Sequence, residues 1–424
     1  WSLVGLTVST LRTDYFDLFN GLVSVLMTGP PPLLEVTVDA FCNMLSVSSY
    51  PRGSGQNDGV AKLSSACVQS RARFQKAVAD DDENTCRQIC RLASAIGEHE
   101  TDLVARGEGE MLKLVHLIFE FLSCTKMREV AIITLDFWIN LCDIEVQQRH
   151  PSLRQEAFVS LVTTVVSQAS YPEEMLPLSA TEFEEGLLDD DFGPFRVGTG
   201  GKEMLVFAFY LLKSNYFKIV LKTLGDSQGN WHNVEGVLWA LTAVAREATK
   251  GIKQNPVDAE NREIVNLLVQ VLNEINTNQA YISNPAVAKM ACKLINALTP
   301  SFIKIGYAPT NITSQHLMQP SLSFLCNALM IKGARLTAAT VMKSVGAATL
   351  SLLANQSAME HLVNVLRNAI SRGLELQGQR DMVDILARIA LQISDTNVAK
   401  LCFGAVLNPF CTECAASLLT IQNK

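Results

Sequence analysis

The sequence is short of aromatic residues, short of charge and without a long apolar run, and each shortage closes a class of explanation. Aromatics make up 7% of the 424 residues and charged residues 18%. Leu, Val and Ala dominate instead, which suits close helix–helix packing better than a β-sandwich. No apolar run reaches the roughly 18 residues that a membrane-spanning helix needs, so no membrane insertion is expected. The histidines His99, His116, His150, His232, His316 and His361 lie far apart, and none falls in an HxxxH or HExxH pair. No GxSxG elbow occurs, and nothing groups a nucleophile, a base and an oxyanion donor. Neither an enzyme nor a cofactor is expected. Gly198–Lys202 (GTGGK) has the look of a phosphate loop, but that loop needs Gly six places before its lysine and a hydroxyl after it. Arg196 and Glu203 stand there. Cys411 and Cys414 form a lone CxxC with no second pair of ligands, so no metal is expected.

A basic track is missing too. The net charge is −7, and eight acids are concentrated between Pro172 and Phe195: Glu173, Glu174, Glu182, Glu184, Glu185, Asp189, Asp190 and Asp191. No Lys or Arg interrupts them, and the rest of the chain sums to about +1. Direct nucleic-acid binding is therefore not expected, since backbone contacts need clustered cations. Clustered carboxylates speed encounters with positive patches and select for them. Glu184, Glu185, Asp189, Asp190 and Asp191 are accordingly the candidate partner-binding residues, against the plainer reading of a solvated loop. Asp80–Glu83 needs no such role, because acids at a helix start are favoured by the dipole. The 11 cysteines are scattered through apolar helix faces, as reduced thiols used as small hydrophobes. That usage points to a reducing compartment.

What the chain has in abundance is helical periodicity. Met127–Cys142 places Val130, Ile133, Phe137, Trp138 and Leu141 on one stripe, and Trp231–Glu247 does the same with Val234, Val237, Leu238 and Leu241. Helices are predicted near 14–28, 33–47, 60–79, 84–105, 109–124, 127–142 and 145–170. They resume near 202–213, 215–224, 231–248, 259–275, 284–303, 313–331, 335–353, 358–374, 379–393, 395–406 and 410–421. Asn255-Pro256 and Asn284-Pro285 read as helix starts. Comparable second helices begin near Asn284, Arg335 and Gly378, steps of 51 and 43 residues, close to the 40–47 typical of HEAT and armadillo units. Helix pairs of this kind bury a core only by stacking. The expected fold is all-α, a HEAT/armadillo-type helical-repeat superhelix of elongated shape. The expected organisation is solenoid over 1–171, an acidic inter-repeat insertion over 172–198, and solenoid again over 199–424. The chain opens inside an apolar segment (WSLVGLTVSTL) with no polar cap before it and closes on CTECAASLLTIQNK. An internal piece of a longer protein is the expectation.

Four blocks then carry a family resemblance. Arg128–Trp138 (REVAIITLDFW) resembles the "VxExxxxFW" second helix of importin-β-type nuclear transport receptors. Asp189–Arg196 (DDDFGPFR) is similar to the "DDFxxFR" stretch of that family's transportin-SR branch. Tyr216-Phe-Lys218 and Trp231–Trp239 (WHNVEGVLW) resemble the branch's matching helices, in the same order. The resemblance is most specific over 127–250. It implies a non-catalytic receptor that carries protein cargo through nuclear pores and shuttles between cytoplasm and nucleus. The implied partners are Ran-GTP, nuclear pore proteins and cargo, with arginine–serine-rich proteins a candidate class. The family's main Ran-docking arch would lie upstream of Trp1, and the arginine-rich cargo helix of the branch beyond about Asn408. Of the family's sites only the acidic stretch carries over. An exportin of the same superfamily, or a HEAT scaffold without Ran affinity, is an alternative the residues leave open.

Overall fold

The structure is a computed structural model that describes residues 8–46, 59–172, 192–197, 200–227, 229–278, 280–305 and 314–407. Every regular element among them is helical, and the expected all-α, HEAT/armadillo-type repeat is the class observed. The helix expected near 410–421, the Cys411/Cys414 pair and the acidic residues from Glu173 to Asp191 lie outside the described residues.

The chain divides into two compact units, the first drawn from Trp1–Ala169 and Leu188–Leu212, the second from Ser170–Leu187 and Lys213–Lys424. In the first unit the helices are α1 (Val8–Thr28), α2 (Pro31–Ser46), α3 (Gly59–Gln69), α4 (Arg71–Ala79), α5 (Glu83–His99) and α6 (Thr101–Arg106). They continue with α7 (Met111–Leu122), α8 (Arg128–Ile133), α9 (Leu135–Asp143), α10 (Gln155–Ala169), α11 (Phe192–Val197) and α12 (Gly201–Leu212). They form two layers. In one, α2 packs on α5, α5 on α8 and α9, and α9 on α12; in the other, α1 packs on α3, α3 on α7, and α7 on α10. Helices α10 and α12, which flank the acidic stretch, pack on each other.

The second unit repeats this plan. Its helices are α13 (Ser214–Asp226), α14 (Trp231–Gln254), α15 (Ala259–Thr277), α16 (Ala280–Ser283) and α17 (Pro285–Ile305). After them come α18 (Ser314–Ala328), α19 (Arg335–Ala348), α20 (Leu350–Leu353), α21 (Gln356–Ser371) and α22 (Leu376–Ala390), then a helical run over 396–407. Here α14, α17, α19 and α22 make one layer, and α13, α15 and α18 line the other.

Local chemistry sets the starts. The Asp82 carboxylate accepts from the Thr85 N–H at 3.0 Å and opens α5. Asn230 caps α14, Asp258 caps α15 and Asn355 caps α21 in the same manner. Asn284 accepts from the N–H groups of Ala286 and Val287 ahead of α17, with Pro285 in the first turn, as its sequence predicts. Asn255-Pro256 does the opposite of the expected start. Asn255 closes α14, its N–H donating to the Gly251 carbonyl, and the next cap is Asp258.

Four helices that the periodicity predicts as single are broken, and all four breaks share one chemistry. The hydroxyl of Ser70 donates to the Cys67 carbonyl, and that of Thr101 to Glu98. Thr134 donates to Ala131, and Thr349 to Val345. Each hydroxyl competes for a carbonyl of the turn before it. The breaks fall between α3 and α4, α5 and α6, α8 and α9, and α19 and α20. The helix predicted near 145–170 starts later, at Gln155, because Pro151 disfavours helix before it and two 3₁₀ turns fill the gap.

The helix ends are held by arginines from elsewhere in the same unit or loop. Arg73 on α4 donates to the carbonyls of Val25, Leu26 and Gly29 at the end of α1, at 3.1, 2.8 and 2.6 Å. Arg149 donates to Cys142 and Ile144 at the end of α9. Arg335, 6% exposed, takes Leu329 after α18 and Arg372 after α21. These carbonyls lie at helix ends, where the intrahelical ladder runs out, though that of Val25 also accepts from the Gly29 N–H.

In the first unit the core centres on Phe137 and Trp138, both essentially buried. The two rings meet edge to face at 5.0 Å, and Phe119 meets Trp138 at 6.1 Å. Gly97 on α5 lies under Phe137, where a Cβ would come within 2.5 Å of the ring. The expected core role of both aromatics is the observed one. The Trp138 indole N–H has no hydrogen-bond partner among the described residues, so its value is apolar contact. Trp138→Ala should cost roughly 3–5 kcal/mol in denaturant unfolding. Trp138→Phe should cost far less, because it also removes the unsatisfied N–H; equal losses from the two would contradict this account.

Candidate partner-binding site

Glu184, Glu185, Asp189, Asp190 and Asp191 lie outside the described residues. The structure does describe what holds the chain on either side of them. On the C-terminal side, the DDDFGPFR block ends in an anchor within the first unit. Phe195 is fully buried and Arg196 is 7% exposed. The Arg196 Nε donates to the Ala169 carbonyl at 2.8 Å, at the end of α10. Its guanidinium lies over the Phe192 ring, 4.4 Å from the centroid, and that of Arg128 lies 4.8 Å from the same ring. Arg128 in turn donates to the Gln168 carbonyl at 3.2 Å. Two cations thus flank one aromatic and cap one helix end. The side-chain amide of Gln168 passes the contact on, donating to the Leu122 carbonyl at the end of α7. Phe192, Phe195 and Arg196 of the block are therefore structural.

One glycine of the segment that imitates a phosphate loop, Gly201, has a packing role. A Cβ there would come within 2.8 Å of the Phe195 ring, so the glycine lets α12 start against the anchor. On the N-terminal side, within the second unit, Tyr171 is 4% exposed and stacks on Trp231 at 5.6 Å. Ser170 lies against Gly236 of α14, a position with no room for a Cβ.

The second unit also has a groove that sequence reasoning missed. About 580 Å³ opens among α13, α14, α15, α16 and α17. Leu224, Trp231, Val234 and Val287 supply its apolar wall, and Gln270, Glu274, Asn278 and Asn284 its polar edge. Asn278 donates to the Glu274 carboxylate at 3.0 Å. One carboxylate and several amides along an apolar wall have the chemistry of a recognition surface. Trp231, Val234 and Asn284 carry signals in the sequence, as the start and stripe of a patterned helix and as a helix cap, and none of these signals points to a groove. The rest converge from four separate helices.

The cysteines behave as their sequence context predicts. Burial pushes the thiols of Cys67, Cys86 and Cys142 up to about 12 and that of Cys326 up to about 11. They are packing groups and poor nucleophiles. An unforeseen carboxylate pair sits in the first unit. Burial, and then the neighbouring Asp136 carboxylate, push Glu98 up to about 7.

These are the features of a helical-repeat binding protein, and the comparisons narrow the class. Residues 81–169 match the family described as the Transportin-3/Importin-13 second TPR domain. Transportin MOS14 of Arabidopsis thaliana is 23% identical over 239 residues, 50% of this chain and 24% of that protein. Importin-13 of Homo sapiens is 23% identical over 286 residues, 63% of this chain and 27% of that protein. The solved structure named "Importin13 cytosolic state" aligns with 96% of this chain and 47% of its own, with a TM-score of 0.69 and 16% identity, a likeness of fold. The chain spans about a quarter of the length of the curated relatives it matches. The resemblance read from the sequence is to the importin-β family of receptors, and the family match, the relatives and the fold all support it.

Two outcomes test this local chemistry. Arg196→Met keeps much of the side-chain bulk but strips Ala169 of its donor, and should cost about 1–3 kcal/mol. The denaturation midpoint should fall with the slope unchanged. Glu98 has a folded-state pKa above its unfolded value, so the folded chain holds that proton more tightly. Its burial costs nothing at low pH, and the cost grows as pH rises from the unfolded value through about 7. Glu98→Gln should raise the melting temperature at pH 8 and leave it unchanged near pH 4; a difference that is the same at both would contradict the assignment.

Proposed function

We propose that this chain is the central helical-repeat portion of a karyopherin-type nuclear import receptor, which binds protein cargo and responds to Ran-GTP. The observation that carries the reading is the Transportin-3/Importin-13 family match over 81–169. The fold likeness over 96% of the chain supports it. Relatives of this kind are transport receptors and not enzymes, and such receptors move between cytoplasm and nucleus and meet nuclear pore proteins on the way. Arginine–serine-rich proteins are the cargo class that the transportin-SR resemblance favours.

The mechanism would be thermodynamic. Cargo and Ran-GTP bind the same helical array with opposing preferences for its curvature, so each lowers the other's affinity by one coupling factor. Repeats that touch only their neighbours suit this, because small changes per repeat add up. The acidic residues Glu184, Glu185, Asp189, Asp190 and Asp191 would supply a docking surface for a basic partner, either Ran or basic cargo. The anchors at Tyr171 and Arg196 hold the chain on each side of them.

The test titrates Ran-GTP, with Ran-GDP as control, into the receptor loaded with an arginine–serine-rich cargo. The import reading expects Ran-GTP alone to release the cargo. Tighter cargo binding would make the protein an exportin, and no response with no Ran binding would leave a scaffold. Neutralising the five acids together should slow association at low salt and flatten its salt dependence, with stability unchanged. Unchanged rates for both Ran-GTP and cargo would reduce the stretch to a solvated loop.

A further inference from the structure

The layer of the second unit formed by α14, α17, α19 and α22 is strongly basic. Those four helices hold ten lysines and arginines against four acids. The counterpart layer of the first unit, α2, α5, α8, α9 and α12, holds four cations against eight acids. Basicity is therefore not a general property of this layer in the repeat. Nor does it extend through the second unit, since α13, α15, α18 and α21 carry four cations against five acids.

Burial sharpens the contrast. Glu235 is 1% exposed, Asp381 5% and the capping Arg335 6%, so two acids and one cation drop out of the surface charge. Asp381 is consumed internally by the Thr340 hydroxyl, the Lys343 ammonium and the Gln377 amide. The acids left at the surface are Glu247 and Asp384, both half-buried. Glu247 pairs with Lys250 at 3.7 Å, and Asp384 lies between Lys343 and Arg388 at 3.2 and 3.0 Å. Arg246, Lys250 and Lys253 on α14 and Arg380 and Arg388 on α22 are exposed, with Lys289 and Lys293 of α17 half-exposed between them in the order of packing. Arg246 and Arg380 make no ion pair among the described residues.

We propose that this face docks an acidic protein segment, a partner opposite in charge to the one that the chain's own acidic stretch would select. Neighbouring helices pack about 8–10 Å apart, and an extended segment advances about 3.3 Å per residue. One carboxylate in every three residues of an extended partner thus meets one helix of the layer. Isolated cations spaced by Thr242, Asn296, Thr340 and Ser344 suit that pattern. They suit nucleic acid poorly, because single strands call for aromatic platforms among the cations, and no aromatic whose burial is described is fully exposed on these four helices.

The experiment measures binding of a fluorescent twelve-residue glutamate peptide to the whole chain at two ionic strengths. Replacing Arg246, Lys250 and Arg380 together by Ala should weaken binding about tenfold at low salt and flatten its salt dependence. Arg246→Lys with Arg380→Lys should retain it, and Lys222→Ala on α13 should leave it unchanged. Circular dichroism of each variant confirms that the helices are intact. Unchanged affinity in the triple variant would overturn the proposal. So would a single-stranded DNA of equal charge that binds more tightly than the peptide and is lost with the same substitutions. Peptide binding that tightens tenfold when Glu184, Glu185, Asp189, Asp190 and Asp191 are neutralised would also overturn it, by making the chain's own stretch the occupant.

Discussion

The structure depends on how its many helix ends are satisfied. Every helix leaves carbonyls without partners at its C-terminus, and a repeat array multiplies such ends while packing them against neighbours. This chain answers with arginine. Arg73, Arg149, Arg196 and Arg335 each reach a helix end other than their own and donate to its last carbonyls. A guanidinium suits the task because its planar fork meets several carbonyls at once and interacts well with the negative end of the helix dipole. Burial works against the charge, lowering the pKa of Arg73, Arg149 and Arg335. An arginine remains cationic at neutral pH even so, where a lysine would be more readily neutralised.

Those caps do more than satisfy carbonyls. Arg73 ties α4 to α1, and Arg335 ties the ends of α18 and α21 together. Between the caps, close approaches set the helix spacing: Gly97 under Phe137 in the first unit, Gly346 under Ile385 in the second. Each contact joins one helix to a near neighbour, so each unit is coupled step by step. A binding protein built this way presents a broad surface whose charge can change from one stretch of repeats to the next without disturbing the core. The acidic and basic layers of the two units are an instance.

The acidic stretch illustrates the division between scaffold and surface. Its flanks are among the firmly packed parts of the molecule, with Tyr171 on Trp231 on one side and Phe195 with Arg196 on the other. The conspicuous Phe and Arg of the DDDFGPFR block serve that packing. The carboxylates from Glu173 to Asp191 lie outside the described residues, and recognition is the role proposed for them above.

Helix existence and the repeat plan were legible in the sequence, because an amphipathic stripe such as Val130–Phe137–Leu141 repeats every three or four residues whatever its neighbours do. So were the caps at Asp82 and Asn284, which are local. The buried roles of Trp138, Phe137 and the cysteines followed from their stripes. The four breaks at Ser70, Thr101, Thr134 and Thr349 did not, since a hydroxyl inside a periodic run interrupts the helix only when packing favours the bend. The role of Asn255 was misread for the same reason: an Asn-Pro pair permits a start, and the contacts around it made it a stop. The Arg–carbonyl caps, the groove around Trp231 and the basic face of α14, α17, α19 and α22 were decided by the tertiary structure alone. They join residues far apart in the chain, and a sequence without an alignment carries no record of which distant residues meet.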